Sequence, residues 1–144
     1  MRRQSVALIA VVVIVLVTVV GVLFLQQSQP TLEIELFPHP PLRVNRGGNF
    51  SLGISVRNSP GFKAEAKYVR GELELPEGFI EESLRTRTRQ LIFGTISPSD
   101  ASHYSLTMIV LNTVEVGEYH AKLAIWGANI LEKVIDIEIT VLSS

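Results

Sequence analysis

The chain has 144 residues, an apolar fraction of 47% and a formal net charge of −1, and this length allows one domain plus a short additional element. It contains no cysteine, which excludes disulfides, thiol catalysis, zinc fingers and iron–sulfur sites. After residue 30 there are 14 acidic residues against 11 Lys and Arg, a net charge of −3 that argues against nucleic-acid binding.

The first predicted element is a transmembrane helix over residues 5–25. This segment contains no charged residue, and all but a few of its side chains are apolar. Twenty helical residues span roughly 30 Å, the hydrocarbon thickness of a bilayer. The core of a cleaved signal peptide is shorter and ends in small residues, whereas this run ends in Phe24 and Leu25. We therefore expect a retained signal anchor, with a cleaved signal peptide as the alternative.

The charges around this helix predict its orientation. Arg2 and Arg3 precede it, and no basic residue follows it until Arg43. The positive-inside rule then places residues 1–4 in the cytoplasm and the C-terminal part outside the cell. Residues 26–30 are predicted to form a short polar stalk, which Pro30 ends.

From residue 31 to residue 144, the chain is predicted to form a single extracytoplasmic domain. Apolar and polar residues alternate there with the period of half-buried strands. The segments with this pattern are 31–37, 49–58, 68–75, 84–97, 102–112, 115–127 and 132–142. The prolines and glycines of residues 38–48 predict a strand bend or an edge crossing, and residues 77–86 leave room for one helical turn. Seven or eight strands without an amphipathic helix between them indicate an all-β, antiparallel β-sandwich.

Three turns carry a resemblance to a known family. A strand ends in a Pro-x-Gly-aromatic turn at residues 76–79, a Pro-x-Asp turn at residues 98–100 begins the next long strand, and Gly117 and Tyr119 open the penultimate strand. Over about residues 31–143 the chain thereby resembles the CARDB-like (cell-adhesion-related) modules of archaeal surface and membrane proteins. The resemblance implies an Ig-like sandwich that serves adhesion, spacing or assembly without catalysis. Tyr119 also resembles a tyrosine-corner residue, whose hydroxyl bonds to nearby backbone.

Three alternating arginines provide the candidate interaction surface. Arg85, Arg87 and Arg89 are separated by single threonines, which predicts that all three lie on one face of a strand. Such a stripe could bind an anionic glycan, a lipid headgroup or an acidic partner. It could also protect an exposed sheet edge from aggregation, and we favour this second interpretation.

A metal site is the next possibility that the sequence raises. His103 and His120 could pair across strands and hold a metal ion together with Asp100. The ligand spacing of a zinc site is absent, so we interpret these residues as exposed polar positions and expect no metal.

The remaining candidate residues favour a surface-exposed, non-catalytic domain over an enzyme. Asn49 begins an Asn-x-Ser acceptor sequence for N-glycosylation in the part expected outside the cell. Trp126 ends a strand and is interpreted as a rim or core aromatic rather than a sugar-stacking platform. The serines and histidines lack the context of a hydrolase triad, and no glycine-rich phosphate loop occurs. We expect no catalytic residue, no cofactor and no small-molecule substrate.

The sequence as a whole predicts a non-catalytic, single-pass protein of the cell membrane. Residues 5–25 would contact lipid, and the outer domain would bind other membrane or cell-surface proteins. One alternative is a secreted filament subunit that assembles by β-strand donation. A second alternative is a glycan-binding accessory subunit of a membrane enzyme.

Overall fold

The computed structural model describes residues 2–28, 30–59 and 64–143. Within these ranges, one helix precedes nine strands. The helix is α1 (Arg2–Ser28), and the strands are β1 (Leu32–Phe37), β2 (Leu42–Asn45), β3 (Asn49–Asn58), β4 (Ala66–Glu74), β5 (Phe79–Glu81), β6 (Thr88–Ile96), β7 (Ala101–Val110), β8 (Gly117–Gly127) and β9 (Ile130–Leu142).

The described side chains of α1 are those of Ser5 and residues 7–20, and all of them are exposed. A helix with apolar side chains on all of its faces is normally surrounded by lipid or by other protein. Within the described residues, no helical stretch combines the length and the hydropathy that a bilayer span requires.

The strands form two sheets. One sheet has four strands in the order β1-β3-β7-β5, and the other has five strands in the order β2-β9-β8-β4-β6. The expected edge crossing at the prolines is confirmed, because β1 pairs with β3 in one sheet and β2 pairs with β9 in the other. Pairing is antiparallel except between β2 and β9, which are parallel. The all-β sandwich is therefore confirmed, with one parallel pair that strand alternation does not predict.

Two short elements refine the expected strand pattern. Within residues 77–86, β5 occupies Phe79–Glu81, and a single turn follows it in which the Arg85 amide donates a 2.9 Å hydrogen bond to the Glu81 carbonyl oxygen, the bond of one helical turn. Phe79 and Glu81 are both buried and both face the interior, a period of two that requires a strand. The short β2 also raises the strand count above the predicted seven or eight. It consists of four residues, too few for a reliable periodic signal.

The core lies between the two sheets and contains the inward side chains of the predicted alternation. Leu52, Ile54 and Val56 of β3 face Leu123 and Ile125 of β8, among others, and each is at most 1% exposed. Fully burying one such aliphatic side chain stabilises the fold by about 1.5–3 kcal/mol. Since the chain has no disulfide, this apolar layer holds the two sheets together.

Candidate interaction surfaces

The three arginines do not share a strand face, so this expectation is wrong. Arg85 lies in the turn after β5 with a φ of 57°, and Arg87 precedes the first residue of β6. Only Arg89 lies within the strand, where it is half-buried and opposite the inward-facing Leu73. The cause is an isolated bridge between Thr86 and Glu81, which holds the residues before β6 in a turn. An interaction role for these arginines stays a prediction.

Arg89 instead contributes to a buried polar group that the sequence analysis did not single out. The Glu81 side chain is 2% exposed and accepts hydrogen bonds from the Ser83 hydroxyl (2.6 Å), the Ser83 amide (3.2 Å) and the Leu84 amide (2.9 Å). Burial by itself raises the pKa of Glu81, but these hydrogen bonds and the positive charge of Arg89 together lower it below its ordinary value. The carboxylate therefore stays ionised and holds the turn after β5. The sequence could have indicated this burial, because Glu81 is two residues from the apolar Phe79 and therefore lies on the same face of a strand.

The two candidate histidines lie on different sheets, so they cannot pair across neighbouring strands. His103 is exposed on β7 of the four-stranded sheet, and His120 is exposed on β8 of the five-stranded sheet. The Nδ1 atom of His120 lies 2.8 Å from an Asp136 carboxylate oxygen, and both side chains are more than half exposed. Among the described residues, no three His, Asp or Glu side chains form a group suited to a metal ion.

Two further candidates occupy the positions that their sequence context suggested. Asn49 is the first residue of β3 and is exposed, so a glycan on its side chain would extend into solvent. Whether it is modified stays a prediction. The Tyr119 hydroxyl donates a 2.8 Å hydrogen bond to the carbonyl oxygen of Glu115, four residues upstream, in the manner of a tyrosine corner. Its ring packs 5.3 Å from that of Phe79, which connects this corner to the core.

Trp126 is half-buried on the outer face of the five-stranded sheet, where it lines a groove of about 440 Å³. The other lining residues are Glu72, Glu74, Lys122, Ala124 and Glu132. The strand register explains the depression, since the small Ala124 stands directly between Glu72 of β4 and Val134 of β9. Trp126 is therefore a rim aromatic beside three carboxylates and one ammonium group, a role that its sequence position alone did not fix.

The edges of the five-stranded sheet differ in how they are closed. On β6, the Tyr104 hydroxyl accepts a hydrogen bond from the Ile92 amide (2.9 Å) and donates one to the Ile92 carbonyl oxygen (3.1 Å). Tyr104 belongs to β7 of the opposite sheet, and its ring packs edge-on against Phe93 of β6 at 5.2 Å. One side chain thus occupies both backbone hydrogen-bonding groups at the middle of this edge strand.

The opposite edge of the five-stranded sheet is closed over only part of its length. β9 pairs with β8 from residue 130 to residue 141, but β2 pairs with β9 only at residues 139–142. No other described strand covers residues 130–138 on that side. We call this segment the open edge. Its side chains include Leu131, which is 80% exposed, and Val134, which is 55% exposed.

The open edge lies beside β1 of the other sheet, because the Lys133 ammonium group donates a hydrogen bond to the Leu32 carbonyl oxygen. β1 also has one unpaired side, but it is only six residues long and is bounded by Pro30 and Pro38. Prolines at both ends limit the pairing that such a strand can offer. The open edge is therefore the longer uncovered strand segment on this side of the sandwich.

Comparison with known proteins identifies similar folds but assigns the chain to no family. No family model matches the chain, and no curated protein matches it. Among solved structures, the chain is similar to the CARDB domain of a Pyrococcus furiosus protein, solved in complex with di-metal ions. The TM-score is 0.53 at 12% identity, over 79% of this chain and 90% of that domain.

A second similar structure is a family 123 glycoside hydrolase from Clostridium perfringens, from a study of glycolipid glycan hydrolysis. The TM-score is 0.51 at 10% identity, and the match covers 79% of this chain but only 28% of the hydrolase. Identities of 10–12% carry information on the fold alone. The strand-rich part of the chain is thus a two-sheet β-sandwich with a CARDB-like fold.

Proposed function

We propose that the chain is a non-catalytic, single-pass membrane protein that presents its sandwich outside the cell to bind another membrane or surface protein. In this proposal residues 5–25 cross the bilayer and residues 1–4 stay in the cytoplasm. The uncharged sequence of that segment, the exposed apolar side chains of residues 7–20 and the two preceding arginines support this placement.

The observation that carries the interaction role is the open edge of β9. Unpaired backbone amides and carbonyls on a sheet edge are a template for pairing with another chain, and folded proteins usually cover or disrupt them. A CARDB-like fold is also consistent with an interaction module. Glu81, the one carboxylate buried among the described residues, is engaged by its own turn, which leaves it unsuited to acid–base chemistry.

The membrane part of the proposal is tested by adding protease to intact cells that make the full chain. We expect residues 31–144 to be digested without opening the cells, while the N-terminus is protected. Digestion only after lysis would contradict the orientation. Mass spectrometry of the mature N-terminus distinguishes the alternative, because loss of the first 28 or so residues would favour a secreted subunit.

The interaction part is tested by purifying the full chain from native membranes in mild detergent. We expect a stoichiometric membrane or surface protein to accompany it and to be lost when the open edge is blocked. Recovery of the chain alone, at native abundance and after cross-linking, would contradict an interaction module.

A second function is favoured by the groove at Trp126. An indole beside carboxylates and an ammonium group offers a stacking surface and hydrogen-bonding groups suited to a sugar ring. A glycan array probed with the full chain in detergent tests this function, with Trp126→Ala as the matched variant. Signals that the substitution removes would support glycan binding, and an array without signals would exclude it.

A further inference from the structure

We propose that the open edge binds an extended segment of a partner protein that carries basic side chains opposite Glu132 and Asp136. This inference rests on the proposed function, because it names the partner chemistry of the interaction module. The incoming segment would lie beside residues 130–138 and would extend the sheet beyond β9. It would continue the line of β2, which already pairs with residues 139–142.

The backbone of the open edge supplies the affinity in this arrangement. An added strand satisfies the unpaired amides and carbonyls of an edge, which is the recognition mode of β-augmentation. The β6 edge is unsuitable because Tyr104 occupies the amide and carbonyl of Ile92 at its centre. β5 is also unsuitable, since it has three residues and its free side meets Thr86.

The side chains of the open edge supply the specificity. Val134 and Asp136 lie on the outer face, as their register with β8 shows, and Glu132 lines the groove at Trp126 on the same face. Cross-strand neighbours of opposite charge stabilise a sheet by about 0.2–1 kcal/mol per pair, and like charges destabilise it. A partner with a basic, an apolar and a basic residue at these positions therefore fits. Asp136 also contacts His120 through one carboxylate oxygen, which leaves its second oxygen for the partner.

The inner face of the open edge adds further constraints. Lys133 and Ile135 lie on this face, and a register irregularity follows toward residue 130, because Ile125 of β8 pairs with Lys133 but Gly127 pairs with Ile130. Ile130 packs partly against the core, whereas Leu131, inside the irregularity, is 80% exposed. An acidic side chain opposite Lys133 and an apolar one beside the exposed Leu131 would complete the match. The edge therefore prefers a strand with two basic residues on the outer face and an acidic residue opposite Lys133.

The charge pattern argues against a second copy of this chain as the partner. In antiparallel self-pairing, a register centred on Val134 places Glu132 opposite Asp136, and one centred on Ile135 places Glu132 opposite Glu138. A register centred on Lys133 places two lysines opposite each other. Each of these central registers sets like charges side by side, which is unfavourable. The complementary partner is consequently a different, basic strand.

The test measures the binding of two labelled peptides to the full chain in non-ionic detergent micelles. The peptide VKVVEKL, in antiparallel orientation, places lysines opposite Glu132 and Asp136 and a glutamate opposite Lys133. The peptide VEVVKEL has the same composition of apolar residues but reverses each charge. We expect fluorescence anisotropy to show at least tenfold tighter binding of the first peptide, and hydrogen exchange to slow within residues 130–138.

Two variants with the same change of charge complete the design. Glu132→Lys combined with Asp136→Lys is expected to reverse the preference in favour of VEVVKEL. The control, Glu33→Lys combined with Glu35→Lys, alters two exposed carboxylates of β1 and is expected to keep the original preference. Both pairs of residues are exposed, so folding should be unaffected, and thermal unfolding verifies this.

Three outcomes would overturn the inference. These are equal binding of the two peptides, an unchanged preference in the Glu132 and Asp136 variant, and self-association of the free chain that protects residues 130–138. The first two outcomes would leave co-purification of a partner from native membranes unaffected, so the proposed function would stand if only the basic character of the partner strand failed. Conversely, loss of the co-purified partner would not alter peptide selectivity.

Discussion

The two edges of the five-stranded sheet show different ways to end a sheet. At β6, a tyrosine from the opposite sheet reaches across and occupies the amide and carbonyl of Ile92. At β9, closure depends on the four-residue β2, which leaves residues 130–138 uncovered. One edge is thus closed by a partly buried side chain that packs against the core, whereas the other is left accessible. The difference indicates where a partner strand can be added without disturbing the fold.

The largest expected effect separates the covered and uncovered halves of β9. Ile139 pairs with Leu42 of β2 and is 1% exposed, and Ile139→Ala should lower the free energy of unfolding by about 2–5 kcal/mol because it leaves a cavity in the core. Leu131→Ala, at the exposed end of the same strand, should change it by less than about 0.5 kcal/mol. Urea unfolding of the two variants measures both values, and similar losses would contradict the division of β9.

At the β5 edge of the four-stranded sheet, the turn is stabilised by an ionised carboxylate. Glu81→Gln should cost about 1–3 kcal/mol, because the buried amide cannot replace the charged acceptor of three hydrogen bonds. The pKa of Glu81 is lowered in the folded protein, so its stabilisation is present above its ordinary pKa of 4.5 and is lost as pH falls through the folded value. Unfolding curves between pH 7 and pH 3 should therefore fall more steeply for the wild type than for the variant. Parallel curves would exclude this role.

The closed β6 edge is tested by removing one hydroxyl. Tyr104→Phe should cost about 0.5–1.5 kcal/mol and should accelerate hydrogen exchange at the Ile92 amide. The matched substitution Tyr119→Phe removes a hydrogen bond to the Glu115 carbonyl at a turn and should leave Ile92 unchanged. Exchange at Ile92 that is equally fast in the wild type would show that the tyrosine does not close this edge.

The smallest expected effect is at the open edge itself. Val134→Thr keeps a β-branched side chain at a position that is 55% exposed, so the free energy of unfolding should change by no more than about 0.5 kcal/mol. Differential scanning calorimetry of the full chain in micelles gives the comparison. A loss above about 1 kcal/mol would mean that Val134 is already covered.

The sandwich was predictable because its strands alternate clearly. The inward parity of Leu52, Ile54 and Val56, like that of Ile137 and Ile139, follows from the period of two and is confirmed by burial. Hydrophobic alternation reports which face of a strand is buried, and the apolar core dominates the stability of such a fold. The bend at residues 38–41 could also be predicted, because proline restricts backbone pairing.

The candidate sites were harder to predict because they depend on where each strand begins and which strands become neighbours. Alternation suggested a continuous strand through Arg85, Arg87 and Arg89, but the bridge at Thr86 delays its start. His103 and His120 lie on strands of similar pattern, and nothing local in the sequence assigns them to different sheets. The open edge arises from the length difference between β2 and β9, a property of pairing rather than of composition.

The most direct measurement is amide hydrogen exchange of the full chain in a lipid nanodisc, read by residue without and with the co-purified partner. The account predicts slow exchange at Ile92 in both states. It also predicts fast exchange at alternate amides of residues 130–138 in the free chain, which slows when the partner is bound. Uniformly slow exchange across residues 130–138 in the free chain would contradict the account, because the edge would then be closed already.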